Sequence, residues 1–78
     1  MSAYPTELKR IRLEVLGGIS QENIAKRTSL TTYTYRRAEN GYPVKYSSAQ
    51  EIKDAINSFL VDRNLPQITL DQLGLNLE

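Results

Sequence analysis

Two hydroxyl residues, Ser20 and Thr31, each stand directly ahead of a short stretch in which apolar residues have helical spacing. Serine and threonine are preferred N-caps, because the side-chain oxygen accepts a hydrogen bond from a backbone N–H of the first helical turn. Ser20 predicts a helix from Gln21 to about Thr28, and Thr31 predicts a second helix that ends at Gly41. Two capped helices this close in sequence must be joined by a tight turn.

The same spacing rules predict which side chains of these two helices face inward. Ile24 and Ala25 are the inward pair of the first, Tyr35 and Ala38 are the inward pair of the second, and Leu30 buries the turn between them. A further helix precedes this segment, and it begins near Pro5 and Thr6 and ends at two consecutive glycines. Its apolar residues with helical spacing are Leu8, Ile11, Val15 and Leu16.

The chain after Gly41 predicts one long helix and one short one. Ser47 or Ser48 is the N-cap candidate of the long helix, and its apolar face comprises Ala49, Ile52, Ala55, Ile56, Phe59 and Leu60. Thr69 and Gln72 are spaced to cap a last short helix, whose Leu70 and Leu73 pack back on the domain. No strand pattern of convincing length is present, so the predicted fold class is all-α with four to five short helices.

Composition excludes several classes of protein. The 78 residues suffice for one small core. The chain has no cysteine and no histidine, which argues against disulfides, zinc sites and histidine acid–base catalysis. We therefore expect no cofactor, no metal and no enzymatic activity. No apolar run approaches the ~20 residues that span a bilayer, and the N-terminus lacks a signal-peptide core, so we expect a cytoplasmic protein with no membrane partner.

The net charge of +1 hides an asymmetry between the two halves of the chain. Residues 1–46 carry eight lysines and arginines against four carboxylates, whereas residues 47–78 carry two against five. An asymmetry of this kind is compatible with one half that binds a polyanion and another that is solvated or faces a partner.

The motif residues support a more specific interpretation. Two short helices joined by a turn of three or four residues form a helix-turn-helix. Ten residues match, at the same spacing and without a gap, a pattern that is shared by members of one protein family: Ile19, Ser20, Gln21, Ile24, Ala25, Leu30, Thr31, Tyr35, Glu39 and Gly41. In these positions the chain resembles the lambdoid phage repressor and Cro family, also called the XRE family. The resemblance covers roughly residues 8–60 and implies a lambda-repressor-like helix-turn-helix domain.

The resemblance also implies a role for individual residues. The family binds double-stranded DNA with the second motif helix in the major groove. Carried over by position, the base-contact candidates are Thr32, Tyr33 and Arg37. The phosphate-contact candidates are Gln21, Thr34, Arg36 and Lys26, and Lys9, Arg10, Arg27 and Lys45 are weaker candidates of the same kind. Glu39 is interpreted as structural, tied to Arg12 or to a nearby backbone group, and Tyr35 as a packing residue.

One position departs from the family in the turn itself. Ser29 stands where the family usually has glycine. We expect serine there to adopt a conformation that glycine takes more cheaply, so that the turn is built slightly differently.

The sequence leaves two functions open. The first is a DNA-binding transcriptional regulator, such as a repressor, acting as a homodimer, with no small-molecule ligand. The alternative is a protein-interaction module, antitoxin-like or an accessory subunit, that retains the fold. The C-terminal part supports this alternative, because it carries more leucines than a domain this small needs to bury. We divide the chain into a DNA-binding domain at residues 1–62 and an extension at 63–78 that packs on the domain or forms a dimer interface.

Overall fold

The structure, a computed structural model, describes residues 3–78 and is all-α, as the sequence predicts. Residues 1 and 2, where the predicted DNA-binding domain begins, lie outside the described part. Four α-helices follow one another along the chain: α1 Glu7–Arg10, α2 Gln21–Ala25, α3 Thr32–Glu39 and α4 Tyr46–Asp62. A π-helical segment, Ile11–Val15, continues α1, and a 3₁₀ helix, Leu70–Leu73, lies near the C-terminus.

The side-chain caps of the first three helices are those that the sequence indicates. The hydroxyl of Ser20 accepts a hydrogen bond from Asn23 N–H at 3.1 Å. The hydroxyl of Thr31 accepts one from Thr34 N–H, also at 3.1 Å. Thr6 caps α1 in the same way. These bonds span three residues, which is why they can be read from local sequence.

The predicted cap of α4 is wrong. The helix begins at Tyr46, and its N-cap is Lys45, which makes no side-chain capping bond, so Ser47 and Ser48 lie inside the first turn. The cause is tertiary. Val44 donates to Asn76 O at 2.8 Å and accepts from Glu78 N–H at 2.9 Å, which keeps the chain extended up to the residue where α4 starts.

The first helix also differs from its predicted form. Leu16 N–H donates to Ile11 O, five residues back, at 2.9 Å. A π-turn holds more residues than an α-turn and therefore rotates the side chains that follow it. Leu16 is buried as expected, but Val15 is 39 % exposed, so its predicted inward position is wrong.

The helix α2 is shorter than predicted, ending at Ala25 rather than near Thr28. The hydroxyl of Thr28 donates to Ala25 O at 2.7 Å and accepts from Leu30 N–H at 3.0 Å. A threonine that bonds the local backbone on both sides competes with helix continuation, so the chain turns here.

The turn at Ser29 corrects another expectation. Ser29 does not adopt the left-handed conformation, since within residues 3–78 the only residue other than glycine with positive φ is Asn64. Instead, Ser29 N–H and its hydroxyl each donate to the carboxylate of Glu51 on α4, both at 2.9 Å. The Ser29 side chain therefore attaches the turn between α2 and α3 to α4.

The core lies between α4 and the three shorter helices. All six apolar residues predicted for the inner face of α4 are buried, as are Ile24, Ala25, Tyr35 and Ala38, while Leu30 is partly buried against them. This agreement follows from the regular periodicity of α-helices.

The C-terminal segment packs against the helices. Leu73 is fully buried, and Leu70, Leu75 and Ile68 pack partly buried against the core. The Asn57 side chain of α4 donates to Ile68 O at 3.0 Å and accepts from Ile68 N–H at 2.8 Å. At the predicted Thr69 cap, Gln72 Oε1 accepts from Thr69 N–H at 2.7 Å.

No helix within residues 3–78 combines the length and the apolar character needed to cross a lipid bilayer.

Candidate nucleic-acid interface

The helices α2 and α3 with their connecting turn form a helix-turn-helix unit, and α3 has one buried and one open side. Tyr35, Ala38 and Glu39 are buried. Tyr33 is 64 % exposed, and both arginines of the helix, Arg36 and Arg37, are exposed. Because side chains three or four apart share a helix face, this division follows from the sequence of α3 itself.

Glu39 is the only carboxylate of α3, and it is turned inward and paired. Arg12 Nε and Nη2 donate to Glu39 Oε2 and Oε1 at 2.8 and 2.7 Å. The structural role predicted for Glu39 is thereby confirmed. Burial would raise the pKa of Glu39, but hydrogen bonds from Arg12 and Gln21 prevail and hold it below its ordinary value. The open side of α3 is consequently free of negative charge from its own residues.

The same pair fixes α3 relative to the N-terminal part of the chain. Arg12 Nη1 donates to Ile19 O, directly ahead of α2, at 3.0 Å. The hydroxyl of Thr6 donates to Glu39 O at 2.7 Å. Arg12 and Thr6 thus connect the first helix to the start of one motif helix and the end of the other, which restricts the angle between them.

Gln21, the first phosphate candidate, is engaged inside the domain. Its Nε2 donates to Glu39 Oε1 at 3.0 Å, and its Oε1 accepts from Arg36 Nε at 3.2 Å. Gln21 therefore connects the buried pair of Arg12 and Glu39 with the exposed Arg36. A bond from its side chain to a phosphate would replace or share one of these contacts.

Arg37, the first base-contact candidate, lies between two aromatic rings. Its guanidinium carbon is 4.4 Å from the ring centroid of Tyr42 and 5.8 Å from that of Tyr33. Tyr42 is not among the site residues predicted from the sequence, because it follows the glycine that ends α3. The position of Tyr42 could have been predicted from Gly41, because a left-handed residue after a helix reverses the chain onto the last helical turn.

The remaining candidates are divided between the two motif helices. Thr32 begins α3 and is half-buried, and the hydroxyl of Thr34 is 3.0 Å from that of Thr31. Lys26 is the C-cap of α2, and its Nζ is 3.5 Å from Glu22 on the exposed side of that helix. The structure therefore brings Thr32, Tyr33, Thr34, Arg36 and Arg37 together on α3, with Gln21 beside them.

Two of the weaker phosphate candidates have partners of their own. Arg27 faces α4, where its guanidinium carbon lies 3.6 Å from the Phe59 ring centroid and Nη1 donates to Ser58 at 2.8 Å. Arg10 pairs with Glu7. These contacts favour a structural role for both arginines.

An open groove of about 340 Å³ runs between α3 and the start of α4. Tyr33, Thr34 and Arg37 line one side, Lys45 lines the other, and Glu78 contributes from the C-terminal end of the chain. The stretch from Thr31 to Arg37 contains no acidic residue, so this part of α3 brings no negative charge to the groove. Folding adds Glu78 to this surface, because residues 76 and 78 pair with Val44.

Comparisons of the chain with models of known protein families, with curated proteins and with solved structures gave no match. The fold and the candidate site together define a small all-α protein with a helix-turn-helix unit whose second helix exposes a basic and aromatic side.

Proposed function

We propose that this protein is a non-catalytic, sequence-specific binder of duplex DNA, with α3 in the major groove, acting as a transcriptional regulator in the cytoplasm. The observation that carries the proposal is the charge of α3: both arginines are exposed, and its one carboxylate is buried against Arg12. A helix with this distribution presents only cationic and neutral groups to a polyanion.

Arg37 is the principal base reader in this proposal. A guanidinium binds O6 and N7 of guanine with two parallel hydrogen bonds, an arrangement worth ~1–3 kcal/mol of discrimination. The neighbouring Thr32 and Tyr33 offer hydroxyl groups for base edges and apolar surface for a thymine methyl. All three residues belong to the first two turns of α3, the part of a recognition helix that meets the bases.

Phosphate contacts supply the affinity that does not depend on sequence. Arg36, Thr34, Lys26 and Gln21 take this role, as the resemblance to the phage repressor and Cro family implies. Gln21 orients Arg36 through the bond between Oε1 and Nε. Each neutralised phosphate releases counterions, so binding weakens with salt at a logarithmic slope of about −0.9 per contact.

A homodimer completes the proposal. Dimers of helix-turn-helix proteins present two recognition helices about 34 Å apart and read pseudo-palindromic sites. Of the C-terminal leucines, Leu65 and Leu77 remain more than one third exposed, and Val61 is 51 % exposed. These side chains are candidates for the contact between two copies. Since Leu73 belongs to the core, the excess of leucine that supports a protein-interaction module is smaller than it looked from the sequence.

The test is selection of bound sequences from a random duplex library, with the wild type, Arg37→Ala and Lys53→Ala in parallel. Lys53 is the control cation because it lies on α4, where its Nζ is 3.2 Å from Asp54, and it belongs neither to α3 nor to the proposed dimer contact. We expect a palindromic motif for the wild type and Lys53→Ala, and relaxed preference at one base pair of each half-site for Arg37→Ala.

The alternative, a protein-interaction module, predicts a different result. A folded wild type that enriches no sequence contradicts DNA recognition and favours a protein partner. An Arg37→Ala variant with unchanged preference shows that α3 is not the reading helix.

A further inference from the structure

Arg37 makes no side-chain hydrogen bond to any residue in the described range 3–78, yet its position is defined by aromatic rings. The Tyr42 ring lies 4.4 Å from the guanidinium carbon, and Tyr42 is 50 % exposed. A ring that is half exposed contributes little to the core. Its contact with Arg37 therefore needs an explanation other than burial of apolar surface.

The backbone holds Tyr42 in place from the side of α3. Gly41, with φ at +92°, closes a Schellman motif in which Gly41 N–H donates to Ala38 O at 3.1 Å and Tyr42 N–H donates to Arg37 O at 3.0 Å. The second bond places residue 42 directly over the residue that its ring contacts. Asn76 Nδ2 also donates to Gly41 O, at 3.3 Å.

The chain that follows Tyr42 is equally constrained. Proline at position 43 limits the backbone, and Val44 is paired with residues 76 and 78 of the C-terminal segment. Tyr42 is thus held on both sides, whereas the arginine side chain has several rotatable bonds and an exposed location. The residue that carries the ring is thus the more constrained partner of this contact.

Stacking suits the recognition of a base. A ring covers a flat face of the guanidinium and leaves the N–H donors along its edge free. Bidentate binding of guanine uses those edge donors. Holding the guanidinium plane before binding reduces the side-chain entropy that is lost in the complex.

We propose that Tyr42 is a positioning residue that orients Arg37 for base recognition, an inference that rests on the proposed function. Tyr42 acts through Arg37 and reads no base itself. Removing the ring lowers discrimination at the base pair that Arg37 reads by about three- to fivefold, the strength of an exposed cation–π contact. Preference at other base pairs is unchanged.

The experiment measures binding of Tyr42→Ala, Tyr42→Phe and Tyr46→Ala to the selected site and to a site changed at the base pair identified by Arg37→Ala. Tyr42→Phe keeps the ring and retains discrimination. Tyr46→Ala is the matched control, since Tyr46 is 58 % exposed and its hydroxyl accepts from Gln50. In an Arg37→Ala background, Tyr42→Ala has no further effect on discrimination.

A second measurement tests the contact without DNA. The Tyr42 ring current shifts the Arg37 side-chain proton resonances in the wild type and in Tyr42→Phe. This contribution is lost in Tyr42→Ala, where the Tyr33 ring, 5.8 Å from the guanidinium carbon, remains. Equal discrimination by Tyr42→Ala and the wild type, or a loss of affinity equal for all sequences, overturns the inference alone. Failure of the wild type to select any sequence overturns the proposed function and this inference with it.

Discussion

Arg12 and Glu39, 27 residues apart, form a two-point ion pair that is buried beneath the helix-turn-helix unit. The side chain of Glu39 is fully buried and that of Arg12 is 10 % exposed. Removal of one member leaves an unpaired charge in the interior, which costs more than the pair itself contributes.

We expect Arg12→Met alone and Glu39→Leu alone each to lower the free energy of unfolding by about 3 kcal/mol or more. The double substitution removes both charges, so its cost is smaller than the sum of the two. Urea unfolding of the four proteins measures the coupling. Additive costs would contradict the interpretation of a coupled buried pair.

Stability is expected to fall in acid but not near neutrality. Hydrogen bonds from Ser29, first its backbone N–H and then its hydroxyl, hold the pKa of Glu51 below its ordinary value of 4.5, and the pKa of Glu39 is also lowered. A carboxylate with a lowered pKa in the folded state stabilises the protein above its unfolded pKa and loses this contribution as pH falls through the folded value.

The free energy of unfolding is therefore constant from neutral pH down to about pH 5 and declines below that. With no histidine in the chain, no side chain has an ordinary pKa near neutrality. Urea unfolding over this range provides the measurement. Glu51→Gln flattens the acid part of the curve, and a decline that begins near neutral pH would contradict the assignment.

The bonds between Ser29 and Glu51 predict the effect of placing glycine at position 29. Ser29→Gly loses the hydroxyl bond and gains backbone freedom in the unfolded chain, so it destabilises by about 1–2 kcal/mol. Ser29→Ala costs about 1 kcal/mol. Ser47→Ala is the control, because Ser47 is exposed in the first turn of α4. If Ser29→Gly stabilises the protein, the turn favours the left-handed conformation after all.

Within the C-terminal segment, Leu73 belongs to the core and Leu77 lies at the surface. Leu73→Ala removes a fully buried side chain and lowers the free energy of unfolding by about 2–5 kcal/mol. Leu77 is 40 % exposed, and we expect Leu77→Ala to cost less than about 1 kcal/mol. Thermal or urea unfolding compares the two. Equal effects would show that the segment is held differently.

Electrostatic contacts with DNA, on the proposed function, predict opposite effects at two charged residues. Lys26→Ala weakens binding to all sequences alike and reduces the salt slope by about 0.9. Glu78→Gln strengthens binding, because it removes a negative charge from the groove lined by Arg37 and Lys45. Titrations at several salt concentrations measure both. A loss confined to one sequence for Lys26→Ala, or unchanged affinity for Glu78→Gln, contradicts these assignments.

The candidate site was partly predictable. The open side of α3, with Tyr33, Arg36 and Arg37, follows from helical spacing once Tyr35 and Ala38 are taken as inward. The contact of Tyr42 with Arg37 was not predicted, because it depends on how the chain reverses at Gly41. The presence of Glu78 in the groove was not predicted either, because its partner Val44 is far away in sequence.

By itself, the sequence determined the all-α class, the caps at Ser20 and Thr31 and the inner face of α4, because those features depend on residues within one or two helical turns. The tertiary structure alone decided the π-turn that exposes Val15, the start of α4, the attachment of Ser29 to Glu51 and the position of the C-terminal segment. Except for the π-turn, whose own hydrogen bond joins Leu16 to Ile11, their hydrogen bonds or packing partners are distant in the chain, and such contacts form only when the core brings the helices together.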